Sequence, residues 1–347
     1  QISDDVFNRL IMRANLPWEA LDMVRGYFGY ARQLGLPYTT TRIHTLLQAR
    51  PTLLRSLWDY FQAKFDPSLS EKREARITAL EETIDSQIRG INNHDLDMVY
   101  RTLFNLMNST LRTNFYRSDK KEHYISYKID CSKVGNMPAP RMVYEIYVHH
   151  REMEGVHLRG GTIARGGIRW SDRQDYRREI LDLATTQRVK NVLIVPEGAK
   201  GGFYITQPIS DRVERRKRAD ELYQILIRGL LDVTDNVVDG VILPPPDVVP
   251  HDGNDPYLVV AADKGTAHLS DTANGLSREY GFWLDDAFAS GGSNGYDHKK
   301  VGITARGGWM TVRRLFRESG LEPDTDTFTV AGIGDTGGDV FGNGVIE

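Results

Sequence analysis

The sequence predicts an α/β fold preceded by a helical segment, and three observations carry the prediction. Of 32 glycines, only Gly26, Gly29, Gly35, Gly90 and Gly135 precede residue 151, so the first third lacks the turn density of an α/β region. Near residue 119 the apolar period changes from helical to alternating. Finally, Phe328-Thr329-Val330-Ala331 reads as a strand running into Gly332-x-Gly334-x-x-Gly337, the glycine turn that opens a Rossmann-type dinucleotide unit. The expected division is a helical segment over 1–118, an α/β substrate-binding domain over 119–305, and over 306–347 a linking helix with the first strand-turn of a nucleotide domain.

Each element has its own signal. Pro17 suits the first turn of a helix carrying Trp18, Leu21, Val24 and Phe28 on one side, and a second helix follows Pro51. Ser68 with Glu71 reads as a capping box, followed by an apolar stripe of Ile77, Leu80, Ile84 and Ile88. Leu96, Val99, Leu103, Leu106 and Leu111 predict another helix. Such stripes are bundle core and imply no chemistry. Ile125, Tyr127 and Ile129 then alternate with Ser126, Lys128 and Asp130, and Met142, Tyr144, Ile146 and Val148 alternate again, as in strands with one buried face. A helix from about Asp172 to Lys190, a buried strand at Val192 to Val195 and a helix from about Asp211 to Val233 follow, with strands at Val237 to Leu243 and Tyr257 to Ala262.

Composition narrows the function classes. A net charge of −3 gives no global reason to bind nucleic acid or an anionic membrane. The basic run Arg212, Arg215, Arg216, Lys217 and Arg218 shares its helix with Asp211, Glu214, Asp220 and Glu221, which reads as a solvated face. The single cysteine, Cys131, excludes an intrachain disulfide and sits in a buried-strand pattern without chemistry. No apolar run reaches the roughly 18 residues needed to span a bilayer, and Gln1-Ile2-Ser3-Asp4-Asp5 does not resemble a signal peptide, so a cytoplasmic protein is expected. His149-His150 and His251-Asp252 lack the spacing of a zinc site, and no metal is expected.

The chemistry concentrates in glycine-rich surroundings: Arg165-Gly166-Gly167-Ile168-Arg169-Trp170, Val189-Lys190-Asn191, Gly198-Ala199-Lys200-Gly201-Gly202 and Ala262-Asp263-Lys264-Gly265. Glycine lets a ligand approach the backbone, and a dicarboxylate needs cations at both ends. Lys200, expected at the end of a buried strand near Lys190, would have its ammonium pKa lowered by desolvation and by a like charge, which suits a base at neutral pH. Asp263 would complete such a site by passing protons to and from a reacting amine. The plainer alternatives are a surface lysine in a flexible turn and a turn aspartate before Gly265.

The ordered set Arg-Gly-Gly-Ile-Arg-Trp-Ser-Asp-Arg (165–173), Val-Lys-Asn (189–191), Pro-Glu-Gly-Ala-Lys-Gly-Gly (196–202), Ala-Asp-Lys-Gly-Thr-Ala (262–267), Gly-Ile-Thr-Ala-Arg-Gly (302–307) and Gly-Ile-Gly-Asp-Thr-Gly-Gly-Asp-Val-Phe-Gly-Asn-Gly (332–344) resembles the large bacterial NAD-specific glutamate dehydrogenases. The resemblance implies oxidative deamination of L-glutamate to 2-oxoglutarate and ammonia, with NAD as cofactor and a homo-oligomeric assembly. It places Lys200 and Asp263 in catalysis. Arg165 falls at the cation for the side-chain carboxylate, and Gln187 and Lys190 fall near the α-carboxylate. Lys300 and Thr304 fall near the nicotinamide, while Gly332, Gly334 and Gly337 belong to the dinucleotide turn. The acid expected about 20 positions past that turn falls beyond Glu347, so a piece inactive by itself is anticipated. Two other readings remain: a dehydrogenase of another L-amino acid, disfavoured by the charge of Arg165, and a non-catalytic regulatory or assembly fragment.

Overall fold

The computed structural model describes residues 5–190, 198–266, 268–295 and 301–331, apart from the side chains of 187–190, 262 and 304. The chain divides into two compact units, 1–290 and 291–347.

Among the described residues, the first unit begins with a short 3-10 turn (Val6–Arg9) and six α-helices: α1 (Leu10–Ala14), α2 (Trp18–Gln33), α3 (Thr40–Gln48), α4 (Pro51–Phe65), α5 (Arg73–Arg89) and α6 (His94–Ser109). Pro51 occupies the first turn of α4, where its missing N–H costs nothing. The expected capping box does not form. Ser68 instead bonds the Asp66 carboxylate through both its amide and its hydroxyl, and α5 starts only after Lys72, which adopts φ 52°. Local side-chain to backbone bonding at Asp66 thus competes successfully with the cap. Leu111 is also not helical, because the chain turns at Thr110 into a strand.

Among the described residues, nine strands follow in two sheets: β1 (Thr110–Thr113), β2 (Ile125–Asp130), β3 (Tyr144–His150), β4 (Met153–Arg159), β5 (Ala164–Ser171), β6 (Ala199–Ile205), β7 (Asn236–Val238), β8 (Val241–Leu243) and β9 (Leu258–Ala262). Helices α7 (Tyr176–Lys190), α8 (Arg212–Leu231) and α9 (Ser270–Glu279) are interleaved with them. The main sheet has the order β1-β2-β3-β4-β6-β5-β9. It is antiparallel from β1 through β6 and parallel across β6, β5 and β9.

Both faces of this sheet are covered. On one face, α2 and α7 with the other N-terminal helices bury Tyr127, Tyr147, Val156 and Leu158. Helix α2 lies close because of its glycines: a Cβ on Gly26 would meet the Tyr127 hydroxyl at 2.6 Å. On the other face, α8 and α9 pack on Ile146, Val148, Ile168, Ala199, Phe203, Leu258 and Val260. The expectation of one solvated face for β2 is therefore wrong, and Ser126 and Lys128 are as buried as their apolar neighbours. Cys131 is buried just past β2, and burial raises its thiol pKa.

The segment 237–243, expected as one strand, is a hairpin separate from the main sheet. Asp239 and Gly240 both take positive φ, 50° and 79°, the geometry of a tight two-residue turn. Residues 191–197, including the strand expected at Val192 to Val195, lie outside the described residues. In the second unit, α10 (Ile303–Glu318) ends at Gly320 with φ 75°, and Phe316 meets Phe328 edge-on at 4.9 Å. Residues 328–331, expected as a strand, pair with no strand among the described residues.

Candidate active site

The glycine-rich segments around Arg165 and Lys200 are interior strands rather than connections. Strand β6 pairs with β4 on one side and β5 on the other, with Ile168 opposite Gly201 and Arg169 opposite Gly202. Side chains alternate across a sheet. Arg165, Gly167 and Arg169 of β5 therefore share a face with Lys200 and Gly202 of β6, and this is the α7 face, because a Cβ on Gly202 would meet Ile180 of α7 at 2.4 Å.

Lys200 lies in direct ion-pair contact with Asp263, the residue just past β9. Their side chains are 13% and 18% exposed, so the pair is shielded but reachable. Gly167 makes room for it: an added Cβ would lie 3.0 Å from Lys200 Nζ and 3.3 Å from Asp263 Cβ. Asp263 is held by its turn. Its Oδ1 accepts from the Lys264 amide at 2.7 Å, and its own amide donates to Thr266 Oγ1 at 3.2 Å. The Thr266 hydroxyl donates to the Ile168 carbonyl at 2.7 Å, which ties the turn to β5, and Gly265 supplies the φ of 85° that the turn requires. Asp263 is thus both a turn aspartate and a member of a charged pair.

Burial opposes ionisation of Asp263. The hydrogen bond and charge of Lys200, with the Lys264 amide and the Arg169 guanidinium, outweigh that cost and lower its pKa. The carboxylate expected to complete the site thus meets Lys200 directly. The Lys190 and Gln187 side chains lie outside the described residues, as do Lys300, the Thr304 side chain, Gly332, Gly334 and Gly337. Their backbones, where described, put Gln187 and Lys190 in the last turns of α7 and Thr304 in the first turn of α10.

Arg165 is exposed on the same face, two residues before Gly167, which is about 6.6 Å along a parallel strand. Among the described residues it has no hydrogen bond or ion pair, so its guanidinium faces solvent with its donors uncommitted.

Sequence reasoning passed over Arg169 and Glu179. Arg169 Nη1 donates to Glu179 Oε1 at 2.6 Å, and its Nη2 lies 3.6 Å from Asp263 Oδ1. Ser171 Oγ donates to the other Glu179 oxygen at 2.6 Å. The signal was present: had 164–171 been taken as a strand, the period of two would have aligned Arg169 with Arg165 and Gly167.

Comparison with known proteins agrees with this architecture. The family model described as bacterial NAD-glutamate dehydrogenase, catalytic domain, matches residues 83–347, and that of glutamate dehydrogenase helical motif 3 matches residues 2–67. The chain is 48% identical to the NAD-specific glutamate dehydrogenase of Halomonas elongata, over all of this chain and 22% of that protein. It is 47% identical to the enzyme of the same name from Mycobacterium tuberculosis, over all of this chain and 22% of the relative. The Pseudomonas aeruginosa enzyme is likewise 47% identical, over 99% of this chain and 22% of its own length. The chain thus spans about a fifth of these relatives, and the matched catalytic-domain model includes both Lys200 of β6 and Asp263 just past β9. By its match to the catalytic-domain model over most of its length, the chain belongs to the bacterial NAD-glutamate dehydrogenase family.

Proposed function

We propose that the complete protein carries out NAD-dependent oxidative deamination of L-glutamate to 2-oxoglutarate and ammonia. The observation that supports this most is the Lys200–Asp263 pair under the bare backbone of Gly167, with the uncommitted Arg165 on the same face. A substrate lying over Gly167 would meet a proton-carrying pair at its amine end and a cation at its distal end. Arg165 holds the side-chain carboxylate, while Lys190 and Gln187 hold the α-carboxylate end. Fixing both ends orients Cα, where positioning lowers the barrier. Once hydride has left Cα and the nitrogen has lost a proton, Lys200 polarises the water that adds to the resulting carbon–nitrogen double bond, and Asp263 accepts a proton from that water and returns one to the departing nitrogen.

NAD, when bound, supplies the hydride acceptor. Gly332, Gly334, Gly337 and Thr304 are the residues assigned to the cofactor. Residues 119–305 serve as the substrate-binding domain and 306–347 as the entry to the nucleotide domain. No described helix is long and apolar enough to cross a membrane. The reading takes the protein as a cytoplasmic homo-oligomer whose partners are small molecules, with no part for nucleic acid or membrane.

Arg165→Met in the full-length enzyme tests the substrate assignment. Losing a charge-assisted pair worth about 1.5–3 kcal/mol should raise KM for glutamate by about 10- to 150-fold while sparing norvaline, which lacks the distal charge. An unchanged ratio of kcat/KM for the two substrates would remove Arg165 from substrate recognition.

A further inference from the structure

We propose that Glu179 is a positioning residue for this reaction: by engaging one arm of the Arg169 guanidinium, it keeps that cation one step away from Asp263 and leaves the aspartate to its exchange with Lys200. The proposal rests on the deamination reading above, because it assigns Asp263 a proton-transfer role.

The geometry is a relay of charges on one face. Glu179 stands in the first turn of α7, where a carboxylate is favoured by the helix dipole. Both its oxygens are taken by β5, Oε1 by Arg169 Nη1 at 2.6 Å and Oε2 by Ser171 Oγ at 2.6 Å. Held in this way, Arg169 brings its second arm only to 3.6 Å from Asp263 Oδ1, outside hydrogen-bond range. The charges facing Asp263 are Lys200 from β6, Arg169 from β5 and, behind Arg169, Glu179 from α7, with Lys264 beside it in the turn. Burial disfavours the Glu179 anion, but Ser171 and Arg169 outweigh it and lower its pKa. Lys200 and Arg169 are therefore balanced by Asp263 and Glu179. If the Glu179 charge is removed, a surplus cation is free to close on Asp263, compete with Lys200 for it and hold it ionised. A carboxylate locked in this way is a poorer proton donor.

The same glutamate ties β5 to the helix whose last turns carry Gln187 and Lys190. A merely structural role predicts that its loss disturbs substrate binding and turnover together. The two accounts therefore differ in what Glu179→Gln does to the full-length enzyme.

Positioning predicts that kcat falls about tenfold, part of the at least about 100-fold that placed proton transfer contributes, while KM for glutamate stays within about twofold. It also predicts that the acid limb of the kcat–pH profile moves down by about one unit, since a closer cation lowers a carboxylate pKa. Glu179→Asp, which keeps the charge, should recover the wild-type profile in part. Should Glu179→Gln fail to fold, Ser171→Ala loosens the same glutamate and should move the profile in the same direction by less. An acid limb that stays in place in Glu179→Gln, or in Ser171→Ala where Glu179→Gln does not fold, overturns the proposal. Asp263→Asn separates this from failure of the deamination reading: if that variant retains turnover, the reading itself falls, and if it is inactive while Glu179→Gln behaves as wild type, only the positioning role falls.

Discussion

Lys128 and Lys200 each meet aspartate carboxylates, on opposite faces of one sheet, and the sheet register links them: Lys128 opposes Ile146, Ile146 opposes His157 and His157 opposes Gly201. On the α8 face, Lys128 is 2% exposed and bonds Asp252 at 2.5 Å and Asp255 at 2.7 Å. Arg112 joins the cluster through Asp235 and Asp252, and Arg159 through Asp255. Three cations and three carboxylates thus form a buried network that ties the 232–257 segment to β1, β2 and β4. On the α7 face, Lys200 and Asp263 stand beside a bare glycine and an exposed arginine. The same chemical pair is sealed inside a network on one face, whereas on the other it is seated over a missing side chain and stays 13% and 18% exposed, the setting the proposed chemistry needs.

The largest expected effect separates the two clusters by activity. In the full-length enzyme, Lys200→Ala should lower turnover by about 10³-fold or more, within the range of placed acid–base groups acting with electrostatic stabilisation. Its melting transition should move far less than that of a Lys128 variant, since Arg169 stands ready for Asp263. Near-normal turnover in steady-state assays would take Lys200 out of the mechanism and make the two lysines alike.

Next is the converse substitution. Lys128→Met leaves Asp252 and Asp255 short of a cation in a buried site, and breaking such a pair costs about 3–5 kcal/mol. Denaturant unfolding should show that loss, while kcat per folded molecule is preserved. A variant of undiminished stability would show that Arg112 and Arg159 suffice to hold the network.

A smaller effect comes from pH. Burial disfavours ionised Asp255, yet the charges of Arg159 and Lys128 overcome this and bring its pKa from 3.8 to about 2. A depressed carboxylate pKa stabilises the fold above the unfolded value, and that contribution disappears as pH falls through the folded one. Between about pH 4 and pH 2 the protein should therefore lose about 2 kcal/mol through this group. Comparing unfolding free energies of wild type and Asp255→Asn across that window measures it. Parallel pH curves for the two proteins would contradict the assignment.

How much of this was legible depends on the range of the forces involved. The helices over 18–33 and 51–65 follow from proline placement and from stripes at helical spacing, and Arg165, Lys200 and Asp263 stood out through their glycine neighbours, all within a few residues of chain. The missed capping box turned on Asp66 competing for Ser68, still a local matter but one that propensity does not rank. The burial of Lys128 could not be read, because its partners Asp252 and Asp255 lie more than 120 residues away. Nor could β5, since a strand with paired glycines forms only when neighbours on both sides complete its backbone bonds. Sequence by itself determined the α/β class, the helical first third, and the residue types and glycine spacing of the candidate site. Tertiary structure alone decided that β6 lies between β4 and β5, that Lys200 meets Asp263, and that Arg169 is drawn toward Glu179. Those outcomes depend on strand register and on burial across distant segments, and a strand's side-chain direction has no meaning until its pairing is set.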